Sequence, residues 1–253
     1  ILAEAALEAG EQALAVRERI YGPVHSATLH VALEQAGALR ALGDERAAIS
    51  LLEERFAWCG TKLCRANLLM GRGVLEYKAG RYGTAIGALV AVRSELGEQP
   101  FALESSRRVE LAKAYRKVGA YEEAQSLMET EAADARDEGS KSRLEIALLQ
   151  LGNIASARGD DRACRGYFED LLEQLKGRED TLLYAIGQNN LGAALIRLGV
   201  PELAQPQLEA AKQTFHERGR PGHAAHAEAA LGVAMVDLGE LGSAREQLDA
   251  ARE

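Results

Sequence analysis

With 253 residues, 47% hydrophobic and 27% charged, the chain is apolar enough to bury a core and too apolar for a disordered tail. A formal net charge of −8 makes it a poor match for nucleic acid, where Lys and Arg must neutralise phosphates. No run approaches the roughly 18 apolar residues of a membrane helix. Three cysteines, Cys59, Cys64 and Cys164, are too few for a disulfide scaffold and fit a reducing, cytoplasmic setting. The opening Ile1-Leu2-Ala3-Glu4 has no basic start and no cleavage motif, and without an initiator Met the chain is expected to be a fragment of a larger protein.

In chain order, residues 1–20 read as one helix, the second half of an incomplete unit. A unit then recurs six times: an apolar helix, a turn glycine, a second helix. The turn glycines are Gly43, Gly80, Gly119, Gly159, Gly199 and Gly239, so the steps are 37, 39, 40, 40 and 40 residues. Each glycine ends a helix where a left-handed residue is needed. Asp44, Asp160 and Pro201 then start the next helix as a cap or first-turn residue. Five residues after the glycine stands a small residue: Ala48, Ala85, Ala124, Cys164, Ala204 and Ala244. Four further on comes a larger one: Leu52, Leu89, Met128, Phe168, Leu208 and Leu248. That spacing places both on one helix face. Eight and seven residues before the glycine stand Leu111-Ala112, Leu151-Gly152, Leu191-Gly192 and Leu231-Gly232. Repeat two departs with Arg72-Gly73, and repeat one with Gln35-Ala36.

Pro23, Pro100 and Pro221 fall between repeats, and no polar–apolar alternation of a strand persists. The expectation is an all-α chain of thirteen helices. They form a single array over 1–253: a half repeat at 1–22 and six whole repeats.

The Leu-Gly, turn-Gly and Ala positions resemble those of the tetratricopeptide repeat. The 40-residue step resembles its longer-helix variety, found in kinesin light chains, maltose-activator-like bacterial regulators and peptide-pheromone receptors. Ala6, Gly10 and Ala13 fall on that family's close-packing positions, and the segment from Ala13 to Leu29 resembles a kinesin-light-chain-like linker. The resemblance implies a right-handed α-solenoid of antiparallel helix pairs whose first helices line a concave face.

On that face it places Glu34, Arg40, Asn67, Lys78, Glu110, Lys113, Arg116, Lys117, Gln150, Asn153, Asn189, Asn190, Arg197, His226, Ala230 and Asp237. Gln150, Asn153, Asn189 and Asn190 form an amide-rich stretch, able to donate to and accept from an extended peptide backbone. Gln188-Asn189-Asn190-Leu191-Gly192 resembles a segment of kinesin-light-chain-like repeats. Lys113, Arg116, Lys117 and Arg197 add cations suited to an acidic or carboxylate-ending partner.

Catalytic motifs are missing. Gly71-Arg72-Gly73 sits in a helix and is no phosphate loop. His216, His223 and His226 lack the spacing of a zinc site. Cys59-x4-Cys64 reads as structural or incidental, and Cys164 as a packing residue in the repeat's alanine place. The reading is a non-catalytic module without cofactor or metal that binds a protein or peptide. It would be the sensing or docking arm of a bacterial signalling or transcriptional regulator. The alternative is a self-associating scaffold, since Leu231, Val233, Val236, Leu241 and Leu248 gather apolar side chains in the last repeat.

Overall fold

The computed structural model describes the backbone of residues 2–97 and 103–251, with side chains from residue 7 onward. Pro100 and the Ala6 side chain lie outside the described residues. Thirteen helices and no strand occur among those described. Helix α1 (Leu2–Tyr21) precedes the repeats and packs on the helix that follows it. Two helices flank each of the six turn glycines: α2 (Ser26–Ala41) and α3 (Glu45–Trp58), α4 (Lys62–Lys78) and α5 (Tyr82–Leu96), then α6 (Glu104–Lys117) and α7 (Tyr121–Asp137) on either side of Gly119. After them come α8 (Lys141–Arg158) with α9 (Asp161–Gln174), α10 (Leu182–Arg197) with α11 (Pro201–Glu217), and α12 (Pro221–Asp237) with α13 (Leu241–Ala250). Pro221 is thus the first residue of a helix, where its missing N–H costs nothing.

One turn is used six times. The glycine takes a positive φ, from 74° at Gly199 to 85° at Gly43. The next residue then donates its N–H back to the carbonyl five positions earlier, as Asp44 to Leu39 (2.9 Å) and Asp160 to Ala155 (2.9 Å). Orphan carbonyls at the helix end are satisfied this way. Asp44 and Asp160 also cap the following helix, each accepting from a backbone N–H at 3.0 Å.

Within each pair the small residues set the spacing. Ala48, Ala85, Ala124, Cys164 and Ala204 are wholly buried. A Cβ on Gly152 would stand 2.7 Å from the Phe168 ring, and one on Gly192 2.6 Å from Leu208. The glycine seven residues before the turn glycine therefore makes room for the larger residue of the second helix.

The chain divides into two compact units, Ile1–Ala120 and Tyr121–Glu253. In the first, Leu29, Ala36, Ala48, Leu52, Cys59 and Leu68 form a core cluster. In the second, Ala185, Ala211, Phe215, Ala224 and Ala227 form another. In the last repeat Leu231 is buried, contrary to its expected place on a contact surface, while Val233, Val236, Leu241 and Leu248 are exposed.

Cys59 and Cys64 are joined in a disulfide across the α3–α4 link, with Cα atoms 5.4 Å apart. It is a local clip. A bonded pair removes the ground for reading the cysteine count as a sign of a reducing compartment. Cys164 is free and buried, as a packing residue should be.

Candidate functional site

The first helices of the second unit carry the amides. Asn190 on α10 donates from Nδ2 to Asn153 Oδ1 on α8 at 3.3 Å. Asn189 donates from Nδ2 to Asn190 Oδ1, also at 3.3 Å. The amides therefore form a chain from α8 to α10. At its end Asn189 Oδ1 is buried and has no partner among the described residues. An acceptor left in that state is unfavourable until a donor reaches it.

Beside these amides an open cleft of about 460 Å³ lies between α10 and α12. Asn189, Asn190, Ile186 and Ala193 contribute from α10, and His226, Ala230 and His223 from α12. Phe215 of α11 forms the floor and packs on the His223 ring, centroids 5.2 Å apart. A cleft of this size with an apolar body and a few convergent polar groups has the character of a ligand pocket. No cluster of three metal-binding side chains occurs among the described residues.

The other predicted positions fare differently. Gln150 is buried, so its amide does not face solvent with the asparagines. The repeat position was legible, but the depth to which neighbouring helices cover it was not. Arg197 is turned onto the preceding hairpin. It donates from Nε to Asp161 Oδ1 at 2.5 Å and from Nη2 to Ser156 Oγ at 3.2 Å, above the buried Cys164. Burial holds the Cys164 thiol above its ordinary value. Arg197 therefore ties two repeats together, which differs from the expected ligand-selecting role.

In the first unit Asn67 bonds its own helix, donating to the Leu63 carbonyl at 3.0 Å. Lys113 is paired with Glu110 at 2.8 Å. Lys78 and Lys117 are exposed. Arg40 was expected in the groove; its side chain is 7% exposed and bound to Glu76 at 2.6 Å. Of the residues singled out in sequence, the structure gathers Asn153, Asn189, Asn190, His226 and Ala230. Ile186, Ala193, Phe215 and His223 were missed as cleft residues. An apolar residue on a helix looks the same in sequence whether it faces a core or a cleft.

No sequence-family model and no curated protein matches the chain. Solved structures do. A Rap protein complexed with Competence and Sporulation Factor is 15% identical, over 98% of this chain and 75% of its own, with a TM-score of 0.68. NprR in complex with its cognate peptide NprX is 14% identical, over 98% and 77%, with a TM-score of 0.64. A Podosopora anserina putative kinesin light chain with nearly identical TPR-like repeats is 19% identical, over 74% and 93%, with a TM-score of 0.61. The similar structures are tetratricopeptide-repeat proteins, and the chain shares their helical-repeat fold.

Proposed function

We propose that the chain is a peptide- or protein-binding repeat module, with its ligand held across α8, α10 and α12. The observation that carries this reading is the chain of asparagine amides ending in an unpartnered Asn189 Oδ1 beside the cleft. An extended backbone offers alternating N–H and C=O groups, so such amides grip it whatever its side chains. One apolar side chain would enter between Ile186, Ala193 and Ala230. That Rap and NprR have been solved with a bound factor and a cognate peptide supports the same use of this fold.

On this reading the chain is the non-catalytic sensing or docking arm of a larger bacterial signalling or transcriptional regulator. The period of the turn glycines runs through the boundary at residue 120, which supports reading 1–253 as one repeat array. An acidic preference rests on the exposed Lys117 more than on Lys113, because Lys113 already holds Glu110.

The test is a peptide library displayed against the purified chain, followed by calorimetry on the selected peptides. Asn190→Ala should weaken them by about 1–2 kcal/mol through loss of a backbone hydrogen bond, with only a small fall in melting temperature from the lost bonds to Asn153 and Asn189. Arg165→Ala, an exposed change on α9, should leave binding intact. Normal binding by Asn190→Ala together with loss in Arg165→Ala would place the ligand on another surface and end this assignment.

A second reading, self-association, is favoured by the exposed Val233, Val236, Leu241 and Leu248. Sedimentation over a concentration series decides it: a concentration-independent monomer removes that reading.

A further inference from the structure

Repeats one and two depart from the array's leucine eight residues before the turn glycine, and at repeat two a cavity lies there. Eight residues before the turn glycine, Leu111, Leu151, Leu191 and Leu231 are all buried. Repeat two has Arg72 instead. Its side chain stays 42% exposed and comes no closer than 3.9 Å to Glu76 in that ion pair. A guanidinium loses its hydration when buried without close partners, so it does not fill an apolar seam as leucine does. Beside it an open cavity of about 340 Å³ lies between α3 and α4. Ile49, Leu52 and Phe56 of α3 face Leu68 and Leu69 of α4 across it. Ile49 and Phe56 are each left 36% exposed.

The same cavity is lined by Arg40. Its Nη2 lies 2.6 Å from Glu76 and 3.2 Å from Glu45. Its Nε and Nη1 are buried and have no acceptor among the described residues. Buried donors without acceptors are rare and costly in folded proteins. Only Glu53 among the lining residues is acidic, against the two arginines, and it is exposed.

We infer that this seam binds a small amphipathic carboxylate: an apolar body lying between α3 and α4, with its anionic head at Arg40 and Arg72. The body covers the exposed faces of Ile49 and Phe56, surface that water disfavours, with the buried Leu68 behind them. The carboxylate pairs with Arg72 and supplies an acceptor that Arg40 lacks, and such charge-assisted bonds are the strong ones. The volume lies at the small end of ligand pockets, roughly 300–1,000 Å³, which fits one medium-length chain or a single ring system. The site belongs to the first unit and shares no residue with the asparagine cleft.

The experiment titrates the whole chain with decanoate and, separately, with decan-1-ol, which has the same chain length and no charge. Calorimetry reads the binding. Trp58, the chain's one tryptophan, gives a second signal, because it ends α3 two residues after Phe56. Decanoate should bind saturably at one site and shift Trp58 emission, about tenfold more tightly than the alcohol. Arg72→Leu restores the residue type of repeats three to six. It should close the seam, raise the melting temperature and abolish decanoate binding. Arg72→Gln keeps the cavity and removes the charge, so decanoate should weaken about tenfold while decan-1-ol is unaffected. Asn190→Ala should bind decanoate as the wild type does, which keeps this result separate from the peptide reading. Equal binding of acid and alcohol, no saturable decanoate site, or undiminished decanoate binding by a folded Arg72→Leu chain each overturns the inference; should that variant not fold, undiminished binding by Arg72→Gln does so in its place.

Discussion

A single hydrogen atom decides the spacing of a helix pair in this chain. At Gly152 any Cβ meets the Phe168 ring at 2.7 Å, well inside normal contact. Phe168 is itself wholly buried, so the ring has nowhere to retreat. Gly152→Ala should therefore destabilise the chain by roughly 1–3 kcal/mol, despite its better helix propensity. Urea denaturation measures this, and a gain in stability would show that α8 and α9 are free to slide apart. The motif made this glycine visible in sequence, because Gly192 and Gly232 recur at the same place. Gln150 is equally visible in sequence, yet it is buried where the asparagines are not. Its identity suits either a groove or a buried seam, and only its neighbours distinguish them.

Between elements, turns and ion pairs act differently. Gly159 stands at φ 81°, open to solvent on the Cβ side but in a backbone region that β-branched residues resist. Gly159→Val should cost about 1 kcal/mol or more and lower the melting temperature. An unchanged melting curve would mean that the turn relaxes freely.

Glu76 joins elements instead of ending one. Buried on α4, it accepts from Arg40 of α2 and from Arg81, both at 2.6 Å. Burial pushes its carboxyl up, but the hydrogen bonds from Arg81 and Arg40 outweigh this and hold it below its ordinary value of 4.5. Glu104 is likewise held low: burial opposes, and Arg107 and Arg108 prevail. A depressed carboxyl stabilises the folded state fully above the unfolded value, and that contribution is lost as pH falls through the folded one. Stability should thus be flat with respect to these groups above about pH 5 and fall progressively below about 4.5. Glu76→Gln should flatten part of that acid slope. An identical slope in the variant would show that the arginines compensate without it.

Within the second unit the helices make a chain of neighbours, with α10, α11, α12 and α13 each packed on the next. In such an architecture stability is a sum of repeat and nearest-neighbour terms. Removing α12 and α13 should strip amide protection chiefly from α10 and α11 and leave α2 and α3 nearly as protected as before. Hydrogen exchange reads this helix by helix; uniform loss throughout would contradict local coupling.

Thirteen helices, their pairing and the six turns were written in local pattern. Left-handed glycine, first-turn caps and i, i+4 facing act within a few residues, so they need no knowledge of the rest of the chain. Other features depend on residues 30 to 40 positions apart coming to a set distance. Arg197 reaches back to Asp161, Arg40 forward to Glu76, and Asn190 to Asn153. Whether a cation is offered to a ligand or consumed by a neighbour follows from those distances. So does the fate of the α3–α4 seam, where Arg72 was plain in sequence but the opening beside it was not. Packing density is a property of facing surfaces, and a side chain's place in a helix does not say what stands opposite.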